Sequence, residues 1–243
     1  MWSIYKKELG TYFSNILGYL TIGIFLIIIG GFMWLFSETS VLEFRYATLD
    51  PLFSMAPLVF LFLIPALTIR SFAEEKQNGT LEFLYTKPLS SADLVWGKFW
   101  ACFTLVGLAI LPTIVYYYSV YQLGSPKGNL DSGAIIGSYV GLFFLSSAFV
   151  AIGIFSSSLT DNIIVSFIIA STLCFLVHWG FFYLANLPFW SDSIRNLIDS
   201  LGMNYHYSSI SKGAIYLKDI VYFISVTLVF SLATISVISK NKN

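Results

Sequence analysis

Residues 16–36 read ILGYLTIGIFLIIIGGFMWLF and contain no Asp, Glu, Lys or Arg. An α-helix needs about 20 mostly apolar residues to cross the hydrocarbon core of a bilayer, and this run is long enough. It is also longer than the apolar part of a typical secretory signal, and no small-residue cleavage site follows it. We therefore interpret it as an uncleaved first transmembrane helix.

Five more runs of this kind follow along the chain. They cover about residues 52–70, 97–121, 134–156, 163–184 and 219–239. The runs are continuously apolar, whereas strands of a membrane barrel alternate in short segments. The sequence therefore predicts an all-α polytopic membrane protein. Residues 1–243 form a single domain, a six-transmembrane-helix bundle in the lipid bilayer.

The overall composition supports a membrane protein and limits its chemistry. The chain is 57% hydrophobic and 11% charged, against about 25% charged in an ordinary soluble domain. Its net charge is zero, which gives no indication of nucleic acid as a partner. Cys102 and Cys174 lie inside apolar runs and are interpreted as buried packing residues rather than a disulfide or metal pair. No catalytic, cofactor or metal site is predicted.

Six spans place both termini on one side of the membrane. That side carries more basic residues than the other, and basic residues mark the cytoplasmic side. We therefore expect both termini in the cytoplasm. The basic residues are Lys6, Lys7, Arg70, Lys76, Lys87, Lys98, Lys240 and Lys242 on the terminal side, and Arg45, Lys127, Arg195, Lys212 and Lys218 on the other.

Two features suggest further helix contacts that the apolar runs alone do not predict. Gly133, Gly137 and Gly141 recur every four residues, which leaves a groove where another helix can approach closely. That helix belongs either to this chain or to a second copy. Residues 188–202 form a predicted amphipathic helix on the outer side. It either packs on the rim of the bundle or contacts an outer partner.

Enzymatic chemistry and secondary transport are both disfavoured. Glu74 and Glu75 resemble the start of an intramembrane metalloprotease motif, but its Arg is missing and the pair lies in a predicted connection. His178 lies near the outer end of a span and His206 in a loop. Neither is therefore placed to act as a catalytic base, and the two are not at one depth as a pair of haem ligands would be. No ionisable residue lies at mid-membrane to carry protons or ions. The chain also lacks a P-loop, so it cannot hydrolyse ATP itself.

The charged connection between the second and third spans has a clear local pattern. Asn78–Gly79 is a turn dipeptide, and Thr80 is placed to cap a short helix after it. Pro88 stops that helix. Ser90 and Asp93 then form a capping-box pattern for the next helix. We therefore predict a short helix projecting between two spans.

The short helix is predicted to be amphipathic. Leu81, Leu84 and Tyr85 share one face at i, i+3 and i+4, and Glu82 points away from it. This face either docks in a groove on a soluble partner or packs on the membrane surface. The residues alone leave both readings open.

Three stretches resemble a known family. EEKQNGTLEFLYTKPLSSADLVWGK, residues 74–98, resembles the signature of type-2 ABC transporter permeases. SSLTDNIIVSFIIA, residues 157–170, is similar to that family's second cytoplasmic turn, with Ile163 in place of a Gln. Residues 206–223 resemble the gliding-motility branch of the permeases, although Ile210 stands where a Phe is usual.

The resemblance implies a dimeric permease without catalytic residues in a bacterial inner membrane. A separate cytoplasmic P-loop ATPase would drive it, and a membrane-anchored extracytoplasmic subunit would accompany it in gliding motility or surface secretion. The segment from Thr80 to Pro88 would be the coupling helix. Its contacts would include Gly79, Thr80, Leu81, Leu84, Tyr85 and Pro88, with Glu74, Glu75, Glu82 and Lys87 at the rim. A lipidic substrate, or mechanical transmission to an outer partner, fits the uncharged spans. The alternatives are a membrane scaffold without transport and, less favoured, an intramembrane enzyme.

Overall fold

The computed structural model describes residues 1–43 and 47–242, and these residues are helical throughout apart from their connections. Arg45 lies outside the described residues. The described helices are α1 (Trp2–Ser14), α2 (Ile16–Trp34), α3 (Asp50–Gln77), α4 (Leu81–Tyr85), α5 (Ser91–Ile110), α6 (Ile114–Leu123), α7 (Ser132–Leu159), α8 (Ile163–Phe175), α9 (Phe181–Ala185), α10 (Asp192–Asp199), α11 (Met203–Ile210) and α12 (Leu217–Lys242).

Six helical segments are long and apolar enough to cross a membrane, which confirms the predicted fold class. They are Ile16–Trp34, Asp50–Gln77, Ser91–Leu123, Ser132–Leu159, Ile163–Ala185 and Leu217–Asn241. We call the side that holds α1, α4 and the end of α12 the terminal face, and the other side the opposite face. The second span, α3, continues beyond its predicted end to Gln77. Glu74 and Glu75 therefore lie on α3, and their prediction as part of a connection is wrong.

The central contact of the bundle joins α3 and α7. A Cβ atom added at Gly153 would lie 2.1 Å from Oγ1 of Thr68, so only glycine allows the two helices to approach this closely. One turn further along α7, the hydroxyl of Ser157 accepts hydrogen bonds from the amides of Phe72 and Ala73, both at 2.9 Å. These contacts hold the terminal-face half of α3 against α7.

A proline in α3 explains a buried tyrosine in α11. Pro57 has no amide hydrogen, so the carbonyl of Phe53 loses its usual donor four residues ahead. The hydroxyl of Tyr207 supplies the missing hydrogen bond at 2.7 Å. This bond fixes α11 against the start of α3 on the opposite face.

We expect Tyr207→Phe to destabilise the protein by about 1–3 kcal/mol, because it leaves a buried carbonyl without a donor. Thermal unfolding in detergent would measure the loss. Tyr205→Phe is the matched control, since the Tyr205 hydroxyl forms no hydrogen bond within the described residues. In a Pro57→Ala background the amide donor is restored, and Tyr207→Phe should then cost much less. An equal cost in both backgrounds would contradict this role.

The glycine groove in α7 is filled from within the chain. Added Cβ atoms at Gly137 and Gly141 would meet Ile210 at 3.0 Å, on the backbone carbonyl and the side chain respectively. Gly213, with a positive φ of 83°, lets the chain turn just beyond that contact. Gly133 lies at the end of the row and meets only the side chain of Asp131. A second copy is therefore not needed to fill this groove.

Helix α1 and helix α10, which falls within the predicted amphipathic segment 188–202, differ in how they are held. Helix α1 packs against α5, and Ile4 and Tyr12 are buried. Helix α10 has no buried residue, and its apolar side chains Ile194 and Leu197 are exposed. The apolar face of α10 is therefore available to the membrane interface or to another protein.

Candidate functional site

The turn between α3 and α4 forms differently from the prediction. Gly79 has a φ of 67°, a left-handed conformation that favours glycine at the end of a helix. The backbone amide of Thr80 donates to the carbonyl of Glu75 at 2.9 Å. The Thr80 hydroxyl donates to the same carbonyl at 3.3 Å. Thr80 therefore closes the end of α3, and its side chain does not cap α4.

The apolar face of α4 points into this chain. Leu81 is buried, and Leu84 and Tyr85 are half-buried against the core of the bundle. The resemblance implied that this face contacts a partner, whereas in the structure it packs on the chain's own bundle. Helix α4 has five residues and is bounded by two spans. Its apolar side chains are therefore buried against the nearest apolar surface, which is the chain's own bundle.

The outward surface of α4 has a different apolar residue at its centre. Phe83 is 71% exposed, and Glu82, Lys87 and Pro88 are exposed around it. Sequence reasoning missed Phe83 because it favoured the i, i+3, i+4 set. The signal was a large aromatic residue on the opposite side of that set. We call Glu82, Phe83, Lys87 and Pro88 the α4 surface.

A buried group of charges ties together the helices on both sides of α4. Lys98 of α5 is only 1% exposed, and its Nζ lies 2.9 Å from a carboxylate oxygen of Glu75 in α3 and 3.0 Å from one of Glu8 in α1. Lys7 reaches Glu75 at 3.1 Å. Glu75 is thus directed inward rather than to the predicted rim. We call Lys7, Glu8, Glu75 and Lys98 the charge cluster.

The remaining acid of the predicted rim is partly accessible. Glu74 forms an i,i+4 pair with Arg70 at 3.5 Å, and both side chains keep more than a third of their exposure. Such an exposed pair contributes little to stability. Glu74 is therefore free to exchange Arg70 for another cation at modest cost.

The charge cluster predicts how helix α1 responds to acid. Burial alone would raise the pKa of Glu8, but Lys98 and then Lys7 hold that pKa below its ordinary value. A depressed carboxyl pKa stabilises the fold above about pH 4.3, its unfolded value, and that stabilisation is lost as the pH falls through the folded pKa. We expect α1 to loosen in acid below about pH 4. Hydrogen exchange of the α1 amides would detect it.

The matched variants for the acid response are Glu8→Gln and Glu82→Gln. Glu8→Gln should remove the acid-dependent step in α1 exchange, because its side chain no longer titrates. Glu82→Gln, on the exposed α4 surface, should leave the step in place. An acid step that persists in Glu8→Gln would show that another group controls the response.

Helix α1 is also fixed to α5 by close packing. A Cβ atom at Gly97 would lie 2.8 Å from Cβ of Ile4, so glycine is needed where the two helices cross. The chain's amino group lies 2.9 Å from Asp93. Asp93 also forms the predicted capping box with Ser90, which the structure confirms. The terminal-face ends of α1, α3 and α5 therefore form one connected unit beneath α4.

A cleft of about 520 Å³ lies beside α4 on the terminal face. Its walls include Tyr85 of α4, Asp161 of the connection after α7, and Asn241 near the end of α12. Lys76 donates to the carbonyl of Ser158 at the end of α7. The hydroxyl of Tyr85 has no hydrogen-bond partner within the described residues, and burial raises its pKa, with a further contribution from Glu75. The cleft joins both terminal-face connections.

The histidines and cysteines fall outside this site. Nδ1 of His206 lies 2.7 Å from the buried carboxylate of Asp219, and its Nε2 lies 2.9 Å from the carbonyl of Ser200. His178 is buried in an aromatic environment on the opposite face. Cys102 and Cys174 are both buried and free. No group of three metal-ligating side chains occurs in the part of the chain that the structure describes.

The six apolar spans define a multi-pass membrane protein, with α1 packed against α5 and the short helix α4 between two spans on the terminal face. The model of the ABC-2 family transporter proteins matches residues 2–238, and the chain belongs to that family. It is therefore a membrane permease of an ABC transporter, as the type-2 signature predicted. Family members are typically non-catalytic membrane subunits that associate with a cytoplasmic ATPase. No curated protein matches the chain.

Proposed function

We propose that this chain couples ATP hydrolysis by a separate cytoplasmic P-loop ATPase to export, or to mechanical work on an extracytoplasmic partner. The α4 surface carries the proposal, because it exposes Phe83 at the centre of a charged rim. Buried aromatic residues dominate the binding energy of many interfaces, and charged rims set orientation. The terminal face is then the cytoplasmic face of the inner membrane, and both termini lie in the cytoplasm.

The contacts behind α4 support a mechanical role for it. Leu81 is packed in the core, so a force on Phe83 acts on the bundle and not on a free loop. The Glu75–Lys98 pair links the two helices that lead into and out of α4. Ser157 and Gly153 pass the displacement of α3 on to α7. ATP-driven motion of the docked partner would therefore move α3, α5 and α7 together.

The wider assembly is also part of the proposal. Helices α2, α8 and α12 expose large apolar side chains that the bilayer or a second permease copy would cover, such as Ile27, Ile164 and Val229. We favour a homodimer of this chain. The exposed apolar face of α10 suits a membrane-anchored extracytoplasmic subunit. The likeness of residues 206–223 to the gliding-motility branch favours a role in gliding or surface secretion.

The proposed function is tested by disabling the ATPase instead of this chain. A hydrolysis-dead ATPase that still assembles should abolish the cellular role of the complex, because the permease would then receive no energy. A scaffold would keep its role under the same change. Retention of function with a fully assembled but inactive ATPase would contradict energised work.

A further inference from the structure

A second cleft, of about 380 Å³, opens on the opposite face, away from α4. It lies between the start of α3, a π-helical turn at Leu176–Gly180 and helix α11. Asp50 and Lys212 are exposed at this cleft. Neither forms an ion pair within the described residues. The mouth therefore offers one negative and one positive charge to a ligand.

The inner wall holds a histidine with an unused polar atom. His178 is 1% exposed, and its Nδ1 has no hydrogen-bond partner within the described residues. Its ring is held edge-on to Trp179 at 4.2 Å and to Phe149 at 5.8 Å between ring centroids. An unpaired buried nitrogen is costly, so such atoms normally have a partner. Single π-helical turns also occur preferentially at functional sites.

The cleft changes character with depth. Asp50 starts α3, and Pro57 lies two helical turns further in, about 10 Å along the axis. Phe53, Pro57 and Trp179 make the inner part aromatic and apolar. The side-chain amide of Asn204 also lines the cleft and forms no hydrogen bond within the described residues. The cleft therefore combines charged groups, a side-chain amide and apolar surface.

We propose that this cleft binds one molecule of a zwitterionic phospholipid with an ammonium headgroup, as in phosphatidylethanolamine. Lys212 would contact its phosphate and Asp50 its ammonium group. Nδ1–H of His178 would donate to an ester carbonyl. An anionic headgroup would place no positive charge at Asp50, so the paired charges favour a zwitterion. The inner wall, at the depth of a bilayer interface, favours a lipid over a soluble phosphoester. This inference does not depend on the role of α4.

The test measures lipid retention by the purified full chain. The protein is exchanged into detergent with equal phosphatidylethanolamine and phosphatidylglycerol, and bound lipid is counted by native mass spectrometry. We expect one retained phosphatidylethanolamine per chain, preferred by about tenfold, as for one charged hydrogen bond. Lys212→Gln should remove about this preference. Lys127→Gln, an exposed lysine on the same face outside the cleft, should not.

Two further variants separate binding from folding. Ser54 is an exposed side chain on the cleft wall, so Ser54→Trp should block the lipid without disturbing the core. His178→Phe preserves the aromatic packing and should lower retention without lowering the unfolding temperature. Equal retention of the two lipids, or full retention in folded Ser54→Trp, would overturn the proposal. Displacement by equimolar glycerophosphoethanolamine would also overturn it, by showing that the ligand is a soluble phosphoester.

Discussion

Lys98→Met is expected to destabilise the folded chain by about 3–5 kcal/mol. The substitution removes the buried cation between the carboxylates of Glu8 and Glu75 and leaves them only the half-exposed Lys7. A buried pair broken on one side is strongly destabilising. Met keeps most of the length of the side chain, so the loss reflects charge more than volume. Thermal unfolding in detergent would measure it, with hydrogen exchange locating the loosened helices at α1, α3 and α5.

Two variants control this prediction. Lys87→Met removes an exposed lysine of the α4 surface and should change stability by less than about 0.5 kcal/mol. Glu75→Gln combined with Lys98→Met removes one charge of each sign and should recover part of the stability. A melting curve for Lys98→Met that matches the wild type would show that the charge cluster does not hold these helices together.

Phe83→Asp is expected to uncouple the permease from its ATPase while leaving the permease folded. Phe83 is 71% exposed and adds little to the core, so its replacement should not lower the unfolding temperature. In a docked complex it would be buried at the centre of the contact, where loss of an aromatic anchor costs at least about 2 kcal/mol. We expect at least about thirtyfold weaker association with the ATPase. Co-purification and ATP turnover of the complex would measure this.

The matched control for Phe83→Asp is a change on the inward face of the same helix. Leu84 is half-buried against the bundle, so Leu84→Asp should lower the unfolding temperature in the isolated permease. The two variants thus separate docking from folding. Normal assembly and turnover in Phe83→Asp would remove α4 from the coupling pathway.

The sequence predicted the fold well because a long apolar run by itself indicates a membrane-spanning helix. The bounds of α2, of α7 and of the fifth span, Ile163–Ala185, lie within a few residues of the predicted runs. The second span was predicted too short, because its last two turns are charged and no longer look like membrane helix. Those turns carry Glu74, which pairs with Arg70 on the same helix, and Glu75, whose partners Lys7 and Lys98 are on α1 and α5.

The short helix α4 was predicted at the right segment, but its apolar face packs on the chain's own bundle, which was not predicted. Local spacing identified a short amphipathic helix between Gly79 and Pro88, and α4 is there. Whether an apolar face looks outward or inward depends on the surface next to it, which spacing cannot supply. Leu81 packs in the chain's own core, whereas Phe83 is exposed. The Glu75–Lys98 pair likewise joins residues that only the folded bundle brings together.

The most direct test of the coupling account is a photocross-link from α4 to the ATPase. A photoreactive phenylalanine analogue at position 83 samples the exposed α4 surface, and the same analogue at Phe189, 69% exposed on the opposite face, is the matched control. Irradiation of the active complex is expected to join the ATPase to position 83 and not to position 189. An active complex in which position 83 gives no ATPase adduct would contradict it.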